Sequence, residues 1–250
     1  MIERDDQDGV AVVRLAHGPV NALDLELVTA ITETFTELST SAHGAVVFTG
    51  TDRAFSAGVD LWRIVDGGPD YVDRYLAALC ESFEAVFALG KPVIGALNGH
   101  AIAGGCILAS GCDYRIMSAG RIGVPELLVG VPFPMSGLEI LMNAVGDQRA
   151  RQLVLTGATH KPPEALELGL VDEVVPSDRL LETALATAQR FAAMTPADTF
   201  RLTKHLLRLA VTERLARHRA TEDPQTLRLW QARAADGTVR DYMERTVTRR

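Results

Sequence analysis

Residues Val10–Leu15 (VAVVRL) and Gly44–Thr49 (GAVVFT) are short runs rich in β-branched residues and bounded by turn formers, so they predict strands. Between them, from Asp24 to Leu38, Leu25, Val28, Ile31 and Phe35 recur three or four apart, which predicts one face of a helix. Pro92–Leu97 (PVIGAL) reads as a third strand and follows a second helical segment at Tyr71–Leu89. This alternation predicts an α/β layer architecture for the first half of the chain. From about Asp178 the pattern turns helical almost throughout. Leu180, Leu181, Ala184, Leu185, Ala188, Phe191 and Ala192 form one apolar stripe, with Asp178 placed as its N-cap. Thr195-Pro196 restarts a helix with Phe200, Leu202, Leu206, Leu207 and Leu209 as its stripe, and Pro224 is expected to break it. Such a tail either completes the core or packs on a neighbouring subunit, and the pattern does not choose.

The stretch Val93–Cys112 carries no formal charge over 20 residues, the length of a membrane span. Five glycines, with Asn98 and His100 in the middle, make it a buried strand, a glycine turn and a short helix instead. The beginning MIERDDQDGV is acidic and lacks the basic-then-apolar pattern of a signal peptide. A chain of 250 residues buries roughly 70–75% of its unfolded surface and needs no covalent or metal staple. The net charge of −7 argues against a nucleic-acid surface but leaves room for a local basic patch. Cys80, Cys106 and Cys112 form neither a CxxC pair nor a ligand-spaced cluster, which argues against zinc and disulfides and for reduced thiols in a cytoplasmic enzyme.

Candidate chemistry lies in three segments: AFSAGVDL (54–61), NGHAIAGGC (98–106) and RIGVPELLVGVPFP (121–134). Each brings small residues where a backbone can approach a ligand and leave N–H groups as the working part. If Cys106-Ile107-Leu108-Ala109 is helical, the amides of Gly104 and Gly105 sit at its N-terminus, where unpaired donors favour an oxygen anion. Taken alone, Gly-Gly before a helix is more often plain close packing. Glu126 after Pro125 equally suits an ordinary first helical turn.

AFSAGVDL, then KPVIGALNGHAIAGGCILASGCDYRI, then IGVPELLVGVPFP together resemble the crotonase superfamily of enoyl-CoA hydratases and isomerases. HGPVNALDLELV before them and LTGATHKPPEALELGLVDEVVP after them look like the same family in the same order, covering about Val10–Pro176. The resemblance implies a crotonase-like spiral of ββα units over residues 1–192 with the acyl-CoA site. It leaves 193–250 as a C-terminal helical region for packing or oligomerisation, in a homotrimer or dimer of trimers. It implies an oxyanion hole made by the amides of Ala57 and Gly104, with the adenine end of coenzyme A near Ala22 and Leu23. The rest of the thioester would run along Ser56, Gly58, Val59, Asp60, Leu61, Gly105 and Phe133, with Asp60 also bonding amides of its own loop. No metal or cofactor beyond the coenzyme A of the substrate is implied, and neither a membrane nor nucleic acid is an expected partner.

Hydratases of this family resemble two-carboxylate enzymes, with one acid directly after the Gly-Gly-Cys segment and one in the Pro-Glu segment. Here Glu126 fills the second place, but Ile107 fills the first and can neither orient water nor move a proton. A lone glutamate resembles the Δ3,Δ2-enoyl-CoA isomerases, in which one base moves a proton two carbons along the acyl chain. Apolar neighbours such as Val124, Leu127 and Phe133 are expected to raise the pKa of Glu126. The alternatives are a hydratase with a second acid from elsewhere and a non-catalytic acyl-CoA binder. Pro132–Gly137 is bulkier than the glycine-rich loop of many hydratases and offers no aspartate nucleophile. A Ser56 nucleophile is disfavoured because Ala54 replaces the first glycine of G-x-S-x-G and no ordered Asp and His motif follows. His100 reads as a hydrogen-bonded structural histidine, Cys106 and Cys112 as core. Trp62 and Arg63 could meet the coenzyme A end, a surface arginine being the default.

Overall fold

The structure is a computed structural model and describes residues 1–246. β1 (Ile2–Gln7) and β2 (Val10–Leu15) form an antiparallel hairpin through Asp8-Gly9, both at positive φ, as a two-residue turn of that hand requires. β3 (Ala22–Leu23) leads to α1 (Leu25–Thr40), whose N-cap Asp24 accepts from Leu27 N at 2.8 Å. The next turn of the chain comprises β4 (Ala45–Thr49), β5 (Ala54–Ser56), β6 (Gly58–Val59) and α2 (Leu61–Ala88). α2 is broken at Gly68, whose φ of 72° and ψ of −176° suit the residue before Pro69. A third turn brings β7 (Val93–Leu97), β8 (His100–Ile102) and α3 (Gly104–Ser110). A fourth brings β9 (Tyr114–Met117), β10 (Ile122–Gly123) and the single-turn α4 (Glu126–Val129). Then follow α5 (Met135–Val145), α6 (Asp147–Thr156), β11 (Thr159–His160), α7 (Pro162–Glu167) and β12 (Glu173–Val174). The chain closes with α8 (Leu180–Ala193), α9 (Ala197–Ala235) and α10 (Thr238–Thr246).

The first turn contributes β1 and β2 to a long sheet, ordered β1-β2-β4-β7-β9-β12, and the later turns each add one strand to it and one to a smaller sheet, ordered β11-β10-β8-β5, while β3 and β6 pair on their own. This is the expected spiral of ββα units. Inside the exposed edge strand β1, strands β2, β4 and β7 of the long sheet are buried on both faces, which explains their near-continuous apolar sequences. Ala11, Val13, Val46, Phe48 and Leu97 face α1 and α2, while Val10, Val12, Val47, Ile94 and Ile116 face α8. The uncharged stretch Val93–Cys112 folds as strand, strand and helix, and no helix among the described residues is long and apolar enough to cross a membrane.

The C-terminal helices depart from expectation in three ways. Asp178 lies in a 3-10 turn, Ser177–Arg179, and Arg179 is the N-cap of α8; the extra half-turn shifts the start by one residue. α9 runs through Pro224 without stopping, because side chains on both sides of the proline bond the body of the protein. The stripe on α9 also points the other way: Leu202, Leu206 and Leu207 are exposed, and Lys204, Arg208, Val211 and Leu215 are buried. The cause is Asp113, which accepts from Lys204 Nζ at 2.6 Å, Arg208 Nη2 at 2.7 Å and Val93 N at 2.8 Å. Arg208 also caps carbonyls of Phe87 and Gly111 and lies over the Phe87 ring, 4.1 Å from its centroid. The region expected to be helical extends past the described residues at 247–250. Asp113→Ala leaves two cations buried without their carboxylate, and denaturant unfolding should show a loss of about 3–5 kcal/mol.

Candidate active site

Three close approaches build the site. β6 pairs in parallel with β3, so Ala22 lies against Gly58 and Leu23 against Val59. Gly58, at φ +82°, sits so close to the start of α3 that a Cβ there would lie 2.5 Å from the Ile102 carbonyl oxygen and 3.3 Å from Gly104 N. A Cβ on Gly105 would lie 2.5 Å from the Ser56 carbonyl oxygen. Only glycine permits this contact, which seats the Ser56-Ala57-Gly58 turn on the N-terminus of α3.

The amides gathered there are not equivalent. The first helical bond of α3 runs from Ile107 N to Ala103 O at 3.1 Å, so the N–H groups of Gly104, Gly105 and Cys106 have no helical acceptor. Gly104 N–H has no backbone acceptor among the described residues, whereas Ala57 N–H donates to Val20 O at 2.9 Å. The donor expected at Ala57 is therefore already engaged in this state. Ser56 is buried and fully used: its Oγ donates to Asn21 O at 2.7 Å and accepts from Gly58 N at 3.1 Å. It orders the turn and is not poised as a nucleophile. Asp60 caps α2 by accepting from Trp62 N and Arg63 N, both at 3.1 Å, which is the structural task expected of it. Leu61, the first residue of α2, packs half-buried against the main core.

Glu126 opens α4 directly after Pro125, and Gly130, at φ 95°, closes that turn by donating to Glu126 O at 3.1 Å. Glu126 is 7% exposed, and its buried Oε2 has no hydrogen-bond partner among the described residues. Burial pushes its pKa up to about 8, opposed only by the N–H of its own residue. Among the described residues no other acid contributes to that shift, and the charge of Glu126 in turn helps to raise the Cys106 thiol. Ile107 is 1% exposed, and a Cβ on Gly137 would meet Ile107 Cγ1 at 3.7 Å, Phe83 Cε2 at 3.7 Å and Pro134 Cγ at 3.6 Å. The position of the missing second acid is thus part of an apolar wall.

Of the remaining sequence candidates, Phe133 is half-buried in the loop between α4 and α5, with its carbonyl accepting from Thr226 Oγ1 at 3.3 Å. Arg63 is exposed, paired with Glu26 at 2.7 Å and set over Tyr71, so it follows the surface default. Cys106 and Cys112 are core residues whose buried thiols are pushed up to about 12. His100 corrects its expectation: it is exposed, because the pleat of β8 turns Ala101 inward and His100 outward. Asp223, Thr226 and Trp230, which bond the loop after α4, were not found from the sequence. They lie at least 88 residues further along the chain with no local motif to mark them.

A family model described as enoyl-CoA hydratase/isomerase matches residues 5–248, and the chain belongs to that family. It is 32% identical over 227 residues to the mitochondrial enoyl-CoA delta isomerase 1 of Mus musculus, covering 89% of this chain and 78% of that protein. It is 34% identical over 218 residues to a probable enoyl-CoA hydratase of Mycobacterium bovis, covering 86% of this chain and 83% of that one. The structure resembles that of human mitochondrial delta3-delta2-enoyl-CoA isomerase with a TM-score of 0.91 at 29% identity, over 98% of this chain and 97% of the other.

The Glu126 carboxyl keeps a proton in the folded protein that the unfolded chain releases above about pH 4.5. Folding free energy is therefore lost as pH rises through the interval up to about 8. Glu126→Gln should match the wild type near pH 4.5 and exceed it by roughly 4–5 kcal/mol above pH 8, as read by chemical denaturation at the two pH values.

Proposed function

We propose that this protein is a Δ3,Δ2-enoyl-CoA isomerase with Glu126 as its single proton carrier. The observation that carries this reading is a buried carboxyl on which no second acid acts, with isoleucine at 107 where a hydratase would hold one. The ionised carboxylate takes a proton from C2 of a 3-enoyl-CoA, and the C–H electron pair moves into the thioester to give a dienolate. The Gly104 N–H donates to the enolate oxygen. The Ala57 N–H joins it by exchanging Val20 O, the carbonyl of an exposed turn residue, for the substrate oxygen. An amide aimed at developing charge is worth roughly 3–4 kcal/mol in such a step. The same carboxyl then returns its proton to C4 as the C2–C3 double bond forms. An apolar Ile107 keeps water from trapping the dienolate.

The adenine end of coenzyme A is proposed to lie by Ala22 and Leu23, and the pantetheine along Gly58–Leu61, with Gly105 and Phe133 near the thioester and acyl group. No cofactor beyond the coenzyme A of the substrate enters this scheme. The exposed Leu202, Leu206 and Leu207 support a homotrimer or dimer of trimers. Three free buried cysteines support a reducing compartment, proposed as cytoplasm although the mouse and human relatives are named as mitochondrial. The second reading is a hydratase, favoured by relatives so named.

Steady-state turnover of 3-hexenoyl-CoA separates these readings. Because the base must be ionised, kcat/KM should rise about tenfold per pH unit below about pH 8 and level off above it. Glu126→Gln should lower kcat by at least about 10³-fold while the affinity for coenzyme A thioesters changes little. Rapid hydration of a 2-enoyl-CoA would favour the hydratase. Binding without turnover of either substrate would leave a non-catalytic binder.

A further inference from the structure

The loop between α4 and α5 contains Pro132 and Pro134, which supply no N–H, so its backbone cannot tie itself down by a ladder of its own. Its polar groups are satisfied from α9 instead. Trp230 Nε1 donates to Pro132 O at 2.9 Å, and Thr226 Oγ1 donates to Phe133 O at 3.3 Å. Met135 N donates to Asp223 Oδ1 at 3.1 Å. Positions 223, 226 and 230 are three and four apart, so they form one row on the helix. This row spans Pro224, where the helix gives up one of its own hydrogen bonds and continues nonetheless. Trp230 is the largest fully buried side chain of the described residues.

The loop is anchored at this end and joined to Glu126 at the other. Val131 N, immediately before Pro132, donates to Glu126 O at 3.1 Å. α4 is a single turn of helix, too short to hold a position by its own hydrogen bonds, so its place is set by what flanks it.

We propose that Trp230, together with Thr226 and Asp223, is a positioning residue for the active site: it fixes the Pro132–Met135 backbone and so holds α4 with the Glu126 carboxyl in its dry, apolar setting. The proposal rests on the reading of Glu126 as the proton carrier. Loosening the row lets the loop and α4 shift, misplaces the carboxyl against the substrate and admits water beside it. The raised proton affinity of Glu126 comes from burial, opposed by its own N–H, and no charged group among the described residues adds to it, although its charge helps to raise the Cys106 thiol. α6 and α10 also pack on α4, and no charge on either contributes. A change in its titration therefore reports a change in its exposure.

The test follows the Glu126 carboxyl directly by carbon-13 NMR of protein labelled at the glutamate side-chain carboxyl, assigned by the signal that Glu126→Gln removes. Trp230→Phe keeps an aromatic ring but loses the donor, and Thr226→Val keeps the shape but loses the hydroxyl. In each, the midpoint should fall from about 8 by about one unit toward the usual carboxylate range. The kcat for 3-hexenoyl-CoA should fall about 10- to 100-fold, with affinity for free coenzyme A, which has no acyl group to meet Phe133, unchanged. Thr226→Ser, which restores a hydroxyl, should recover both. A wild-type midpoint and wild-type kcat per folded molecule in both Trp230→Phe and Thr226→Val would overturn the proposal. If the wild type shows no isomerisation yet the midpoint moves in the variants, the isomerase reading fails and the positioning role stands.

Discussion

The structure depends on keeping one carboxyl in a place where its charge is unwelcome. Glu126 has an orphan oxygen and, among the described residues, no cationic or hydroxyl partner to balance the loss of water. Burying a carboxylate in that way is among the most costly things a fold can do, and the group responds by holding its proton. With a pKa of about 8, roughly one molecule in ten carries the ionised form at pH 7. What is lost in stability is returned as a carboxyl whose proton affinity lies close to neutral pH, the range in which a group can both take and give back a proton.

In the proposed reaction that carboxyl works with an oxygen cradle, and the backbone that would form the cradle is a consequence of missing side chains. Gly58 and Gly105 let the Ser56–Gly58 turn rest on the start of α3, and Ala103, at φ 52°, turns the chain so that the amides of Gly104 and its successors are left over. Ser56 and Asp60 spend their polar atoms on holding that turn and the helix after it. Charged side chains play their part further away. Asp113 draws Lys204 and Arg208 into the body, which turns α9 over and lays its later half across the loop that follows Glu126.

Much of this was legible in the sequence where the signal is local. β2, β4, β7 and α1 follow from β-branched runs and a three-four spacing, whereas the Gly-Gly and Pro-Glu segments stand out as a candidate site only through the family resemblance, since alone they suit close packing and an ordinary helix start. The failures on α9 come from contacts made across long sequence separations, and those at β1 and His100 from exposure that composition hides. The acidic β1 gives no apolar pattern because it is an exposed edge strand, although Asp8-Gly9 was the turn that could have revealed it. The leucines of α9 looked like a core stripe because nothing near them announces that Asp113 will capture the opposite face. Pro224 looked like a stop because its neighbours' bonds to the Met135 amide and the Phe133 carbonyl cannot be read locally. His100 reads as a hydrogen-bonded structural histidine in an apolar context, yet strand alternation sends it outward to an exposed position.

The central claim is that a single buried acid carries the same hydrogen from one carbon to the next but one. It is tested most directly with a 3-enoyl-CoA bearing deuterium at C2, turned over in ordinary water, with the product examined by mass spectrometry and NMR. A lone, water-shielded carboxyl should deliver a measurable fraction of that deuterium to C4. Complete replacement by solvent hydrogen at C4 in every turnover would contradict it.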